Sequence, residues 1–134
     1  MIRKIKNFVF KIKCILQKIF RTHHTSDAEL WNLDYHLAKI LYKKIKAFKK
    51  MERHGFPSEL RNEFEWEEIL DNILFSLAFL IYDYDENTKI AKKLQNEYNF
   101  TNIFKLEKQA LKDFNNKFTY GLNLLGKYLP AMWD

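Results

Sequence analysis

The sequence contains few of the residues that build turns, disulfides or membrane spans. Its 134 residues include 3 Gly, 2 Pro and 1 Cys, and the longest run without a charged side chain is residues 72–82. An all-β fold needs many turns, so the scarcity of Gly and Pro favours helices. The single cysteine, Cys14, cannot form an intramolecular disulfide and suits a reducing compartment. The uncharged run is about half the length of a membrane-spanning helix.

Apolar residues, aromatic residues and clustered positive charge are abundant instead. Hydrophobic residues make up 47% of the chain and aromatic residues 16%, which favours a folded core over a disordered chain. The formal net charge is +6, and residues 1–21 contain seven basic residues and no acidic residue. The rest of the chain carries the other 16 of the 23 basic residues and all 17 acidic residues. Any argument from positive charge is therefore an argument about residues 1–21.

Residues 2–20 have the pattern of a basic amphipathic helix, because apolar residues recur at steps of three and four between lysines. The apolar positions are Ile2, Ile5, Phe8, Val9, Ile12, Ile15, Leu16, Ile19 and Phe20. Three interpretations of this segment stay open. The apolar face packs on the rest of the chain, or it lies on an anionic membrane surface, or the segment binds a nucleic-acid backbone or another protein chain.

The stretch DAELWNLDYHLAKILYKKIKAF, residues 27–48, predicts the central helix. Ser26 and Glu29 have the spacing of a capping box and HGFP at residues 54–57 stops a helix, so we expect it to span about residues 27–52. Its apolar residues form two adjoining stripes opposite a basic strip. One stripe is Leu30, Leu33, Leu37, Leu41, Ile45 and Phe48, and the other is Trp31, Tyr35, Ala38 and Tyr42.

Three further helical segments follow this one. We expect one from after Pro57 to near Tyr82, a short polar one over residues 87–98, and a last one over residues 102–129. The alternative is that the last two form one continuous helix. Gly inside a helix costs about 1 kcal/mol relative to Ala. The two glycines inside the last segment therefore indicate close packing or a kink, and they are Gly121 and Gly126.

These segments together predict an all-α fold. We expect a single compact helical domain of four to five helices, residues 22–134, with a basic amphipathic N-terminal helix, residues 1–21. The second, third and fifth segments should form its core.

Asp34 is an unusual residue for the apolar side of a helix. At 100° per residue, an uninterrupted helix places it on the face of Leu30 and Leu37. A buried carboxylate without a partner is costly. We therefore expect Asp34 to be mostly buried between the second and third helices, with Trp66 or a basic residue as hydrogen-bond donor. The alternatives are that Asp34 lines a ligand pocket with Trp31 and a basic group, or that it is exposed.

Three fragments of the sequence carry recognisable motifs, and they are SDAELWNLDYHLAKILYKKIKAF, GFPSEL…EWEEILDNILFSLAF and YGLNLLGKYLPAMWD. Together they resemble a family of small proteins encoded by tailed phages and prophages. The matching residues are Trp31, Asn32, Leu33, Asp34, Gly55, Pro57, Trp66, Leu70, Asp71, Gly121, Leu122, Leu124 and Trp133. The resemblance covers roughly residues 21–134 and departs at Lys43 and Ile73, where the family has proline and methionine. It implies a phage origin, a helical fold and the cytoplasm of the infected host cell, and it brings no established activity.

The candidate ligand-binding residues combine aromatic rings with lysines. They are Trp31, Asp34, Tyr35, Lys39, Tyr42, Lys43, Lys44 and Lys46. Lysines can hold phosphates and aromatic rings can stack on a base, so we expect an anionic, nucleotide-like ligand. The alternative is a solvated lysine face beside aromatic residues of the core.

We expect a non-enzymatic phage accessory protein that binds such a ligand, one use of which would be to sequester a host immune signal. The alternative is a module that acts through residues 1–21 on a membrane surface, a nucleic-acid backbone or a host protein, and a homo-oligomer stays open.

Catalytic, metal and cofactor sites are not expected. The sequence has no Gly-rich phosphate loop, no serine nucleophile elbow and no zinc-binding spacing, and its adjacent histidines His23 and His24 are poorly placed to chelate one metal. A hydrolase that uses Asp34 and Asp71 as paired carboxylates is the remaining enzymatic alternative.

Overall fold

The structure is a computed structural model that describes residues 1–20, 27–52 and 55–132, without the side chains of residues 17–20 and 28–29. Every regular element in these residues is helical. The α-helices are α1 (Ile2–Phe20), α2 (Asp27–Leu30), α3 (Leu33–Lys50), α4 (Glu63–Tyr84), α5 (Lys89–Tyr98) and α6 (Lys108–Tyr128). Short 3-10 turns cover Ile103–Lys105 and Leu129–Ala131. The predicted all-α fold is confirmed, with five described helices of ten or more residues.

The chain divides into two compact units, Met1–His36 and Leu37–Asp134. The first unit contains α1 and α2, the second contains α4, α5 and α6, and α3 runs across the division. The predicted domain boundary after residue 21 stays a prediction, because residues 21–26 lie outside the described residues. The predicted cap at Ser26 lies outside them for the same reason.

The predicted helix over residues 27–52 is interrupted near its start. Asn32 has a φ of 59°, in the left-handed region that Asn tolerates better than most residues. As a result α2 ends at Leu30 and α3 begins at Leu33. The helical phase of Leu30 therefore does not continue into α3, so Asp34 keeps the predicted side of Leu37 but does not share the face of Leu30.

The most buried helix of the second unit is α4, and the prediction that the helix after residue 27 is central is wrong. Ten residues of α4 are buried, whereas in α3 only Ala38 and Ile45 are buried. Residues 72–82 of α4 carry no charge, so this helix can be covered on all sides. The lysines of α3 keep one of its sides in solvent, because a charged ammonium is costly to bury.

The close approach of α4 to α6 requires a glycine at position 121. A Cβ at Gly121 would overlap the side-chain oxygen of Ser76 and the backbone oxygen of Asn72, both on α4. The buried Ser76 hydroxyl also donates a hydrogen bond of 2.8 Å to the backbone oxygen of Phe118. The predicted close packing is therefore found at Gly121, while a Cβ at Gly126 would meet nothing within 4 Å.

The helices α5 and α6 are separate, so the alternative of one continuous helix is wrong. Asn99 has a φ of 56° and its N–H donates to the backbone oxygen of Gln95 at 2.8 Å, which ends α5. The turn that follows places Phe100 in a cluster of aromatic rings, where it is 3% exposed. In the same cluster the ring centroids of Phe79 and Phe114 are 4.6 Å apart. These rings join α4 to α6 and to the turn that follows α5.

Candidate functional site

In the first unit, α1 makes its described contacts through Phe10, Lys13 and Cys14. The rings of Phe10 and Trp31 meet edge to face with centroids 6.4 Å apart, and the Lys13 ammonium forms an ion pair of 2.6 Å with Asp27. Cys14 is buried. At 100° per residue, Phe10 and Cys14 lie on the side of α1 opposite its apolar residues, and Lys13 lies at the border between the two sides.

The apolar side of α1 is exposed. Its seven described residues, called here the apolar face, are between 40% and 71% exposed. They are Ile2, Ile5, Phe8, Val9, Ile12, Ile15 and Leu16. An exposed apolar surface of this kind is unusual in a folded protein and commonly marks a binding surface for protein or lipid.

Positive charges border the apolar face along both edges. Helical spacing places Lys4 and Lys11 along one edge and Lys6 and Lys13 along the other, and all four side chains are exposed. A hydrogen bond from Lys13 to Asp27 raises the pKa of Lys13, so this side chain stays cationic at neutral pH. The face is therefore an apolar stripe between two rows of ammonium groups.

A second feature is a cleft of about 330 Å³ in the second unit, between α3, α4 and α5. Its lining combines three ammonium groups, three carboxylates, a phenol and one aliphatic side chain. These are Lys46, Lys49, Lys50, Glu67, Asp71, Leu74, Glu97 and Tyr98. With equal numbers of cations and anions, the cleft has no formal net charge.

Ion pairs use two of the three lysines of the cleft. Lys49 pairs with Asp71, and this hydrogen bond raises the pKa of Lys49. Lys46 lies 3.3 Å from the Glu97 carboxylate. Lys50 is exposed, and no described residue forms an ion pair with it. An incoming anion would therefore find one lysine available and two lysines already occupied by carboxylates.

Two tyrosines join α3 to α5 beside the cleft. The hydroxyl oxygens of Tyr42 and Tyr98 lie 3.2 Å apart, and Lys46 donates to the Tyr42 hydroxyl at 3.4 Å. Burial, followed by the hydrogen bond to Tyr42, raises the pKa of Tyr98 well above its usual value. Desolvation lowers the pKa of Lys46, but hydrogen bonds to Tyr42 and Glu97 outweigh it and raise the pKa. Tyr42 therefore contributes to helix packing.

The predicted ligand-binding residues fall in both units. Trp31, Asp34 and Tyr35 belong to the first unit, and Lys39, Tyr42, Lys43, Lys44 and Lys46 belong to the second. Of these eight residues, only Lys46 lines the cleft. Trp31 is 70% exposed beside Phe10, and Lys39, Lys43 and Lys44 are exposed.

Asp34 is exposed, so the prediction that it is mostly buried is wrong. It lies in the first turn of α3, where a carboxylate interacts favourably with the helix dipole. That position accounts for an acidic residue at the start of a helix rich in lysine. Trp66, the hydrogen-bond donor proposed for Asp34, is buried against the rings of Phe48 and Tyr128.

The cleft brings together residues of three helices that analysis of single helices could not group. Lys49, Glu67, Glu97 and Tyr98 come from three helices and share no motif, so no local spacing could have grouped them. Asp71 of the hydrolase hypothesis is paired with Lys49 there, and its proposed partner Asp34 belongs to the first unit.

The described residues contain no group of three side chains suited to hold a metal ion. The adjacent histidines His23 and His24 lie outside the described residues, as does Trp133 of the phage-family resemblance. None of the described helices is both long and apolar enough to cross a membrane.

Comparisons with protein-family models, with curated proteins and with solved structures find no match to this chain. The resemblance to small phage proteins, and the phage origin that it implies, therefore stay predictions.

Proposed function

We propose that this protein binds the surface of an anionic membrane through α1, with the apolar face entering the headgroup region. The observation that carries this proposal is the exposure of that face. The described contacts of α1 lie on its other side or at its edge, through Phe10, Lys13 and Cys14, so the apolar face is left for another partner.

Charge favours anionic lipid over other partners. Residues 1–21 contain seven basic residues and no acidic residue, and four lysines border the apolar face. In an interfacial helix the apolar side chains enter the acyl boundary while lysines extend to the headgroup phosphates. A nucleic-acid backbone would use the lysines but would leave the apolar face in water. A second copy of α1 would bring two sets of like charges together.

The test measures binding of the full chain to vesicles of phosphatidylcholine mixed with phosphatidylglycerol, and to vesicles of phosphatidylcholine alone, by co-sedimentation. We expect binding to the mixed vesicles and little binding to the neutral ones. Phe8→Glu should weaken that binding by about tenfold or more, because it removes an aromatic side chain that enters the headgroup region in the bound state and adds a negative charge. Phe104→Glu is the matched control, since Phe104 is 91% exposed and lies outside α1.

Four outcomes would overturn the proposal. The first is no binding to the mixed vesicles, and the second is an equal loss of affinity with Phe8→Glu and Phe104→Glu. The third is a dimer in light scattering that Phe8→Glu separates, together with weak vesicle binding, which would make a second copy the partner. Tight binding to duplex DNA that tolerates Phe8→Glu, again with weak vesicle binding, would favour the nucleic-acid backbone instead.

A second candidate function is the binding of an anionic, nucleotide-like ligand in the cleft of the second unit. The observation that favours it is Lys50, an exposed lysine of the lining without an ion-pair partner among the described residues. Lys46 and Lys49 lie beside it and would interact with a phosphate if their carboxylates gave way.

Calorimetric titration with mono-, di- and cyclic nucleotides tests this second function. We expect any heat of binding to be lost with Lys50→Gln and kept with Lys89→Gln, an exposed lysine of α5 outside the cleft. The absence of binding across the whole panel would exclude it.

A further inference from the structure

We infer that Asp27 restrains the binding of α1 to anionic lipid by occupying Lys13, so that headgroups must compete with the Asp27 carboxylate for this lysine. The inference rests on the proposed function of α1 and adds an ion pair that lowers the affinity of α1 for anionic lipid.

Lys13 is within reach of both competing partners, the Asp27 carboxylate and a lipid headgroup. Its ammonium lies 2.6 Å from the Asp27 carboxylate, while its side chain is 61% exposed and borders the apolar face. The side chain of Asp27 is 34% exposed. A lipid phosphate can therefore reach Lys13, but the position of closest approach is already taken by an anion.

The other edge lysines differ from Lys13. Lys4, Lys6 and Lys11 are exposed, and no described residue forms an ion pair with any of them. They can bind headgroups without first losing a partner. Lys13 has to exchange one carboxylate for one phosphate, which brings little net gain in aqueous surroundings. Asp27 also adds a negative charge within about one Debye length of an anionic surface, where it is repelled.

Asp27→Asn tests this arrangement in the full chain with the mixed phosphatidylcholine and phosphatidylglycerol vesicles. We expect the affinity to rise about fivefold, which is the gain in affinity that one additional cation close to an anionic surface gives. Binding to phosphatidylcholine alone should stay as weak as for the wild type. Asp34→Asn is the matched control, because it removes an exposed acidic charge of the same unit that has no described contact with α1.

A double-mutant cycle separates competition for Lys13 from a general charge effect. Lys13→Gln should cost less affinity for mixed vesicles in the wild type than in the Asp27→Asn background, because Asp27 already occupies this lysine in the wild type. In the Asp27→Asn background the same substitution should cost about fivefold. Additive effects of the two substitutions would overturn the inference, since a general charge effect needs no coupling.

The outcomes distinguish this inference from the proposed function. If the wild type binds mixed vesicles and Asp27→Asn binds no better, the restraint is refuted and the proposed function stands. Equal gains from Asp27→Asn and Asp34→Asn also refute it, because net charge then explains the change. If the wild type does not bind mixed vesicles, both are refuted. A loss of affinity in Asp27→Asn would mean that Asp27 holds α1 in its binding conformation, which is the opposite of a restraint.

Discussion

A hydrogen atom is the only side chain that fits on α6 at position 121. A Cβ added to Gly121 would lie 2.9 Å from the Ser76 Cβ and closer still to the backbone of α4. Because the backbone cannot yield as a flexible side chain can, we expect Gly121→Ala to lower the free energy of unfolding by about 1–3 kcal/mol. Urea denaturation followed by circular dichroism measures this change.

The same substitution at Gly126 is the control for that experiment. Nothing lies within 4 Å of a Cβ there, and Ala is the better helix former by about 1 kcal/mol. Gly126→Ala should therefore leave stability unchanged or raise it. If both variants lost stability equally, the crossing of α4 and α6 would not be as close as described.

At the scale of helices, the hydroxyl pair of Tyr42 and Tyr98 gives the contact of α3 with α5 a dependence on pH. Tyrosine in an unfolded chain ionises near about pH 10, whereas the raised pKa of Tyr98 keeps it neutral in the folded state. The stability that this raised pKa of Tyr98 contributes to the folded state is fully present below about pH 10. Above that pH it is lost progressively, because the unfolded state releases a proton that the folded state retains.

Tyr98→Phe should therefore reduce the loss of stability above about pH 10, by up to about 1 kcal/mol per pH unit. Lys46 and Lys49 have raised pKa values too. These also make stability fall as the pH rises, in the wild type and the variant alike. Urea denaturation at a series of alkaline pH values measures the slope, with Tyr120→Phe, at a half-exposed position, as the matched control. An unchanged slope in Tyr98→Phe would show that Tyr98 does not resist ionisation.

The sequence predicts the helices better than it predicts their surroundings. The periodicity of α1 gives its bounds, and the ends of α3 and α4 lie two residues from the predicted ones. The interruption at Asn32 escaped prediction because it depends on the backbone of one residue that also occurs inside helices. The sequence also did not predict which helix is central. A wide apolar arc on a helix does not reveal whether another helix covers that arc.

The cleft and the ion pair of Lys13 belong to tertiary structure and had no signal in the sequence. Lys49 and Asp71 are 22 residues apart, and their pairing depends on how α3 lies on α4. The basic, amphipathic character of α1 was visible from residue types alone. The side of α1 that makes contacts was not, because Phe10 and Cys14 lie on the more polar side.

At the scale of the whole molecule, charge is separated along the chain. Residues 1–21 carry seven basic residues without an acidic one, and the remainder has 16 basic and 17 acidic residues. An anionic surface is attracted to the first of these parts, while the near-balance in the rest gives little attraction or repulsion. If the protein binds vesicles as proposed, this separation predicts that the salt dependence of the binding comes from α1.

Raising NaCl from about 0.05 M to about 0.5 M should therefore weaken binding to the mixed vesicles by about tenfold or more, since salt screens surface charges. A variant with three edge lysines of α1 changed to Gln should bind more weakly and depend less on salt; these are Lys4, Lys6 and Lys11. The control changes three exposed lysines of α5, namely Lys89, Lys92 and Lys93, and should keep the affinity and the salt dependence of the wild type. If the two triple variants behaved alike, net charge would drive binding. The specific arrangement of ammonium groups beside the apolar face would then have no role.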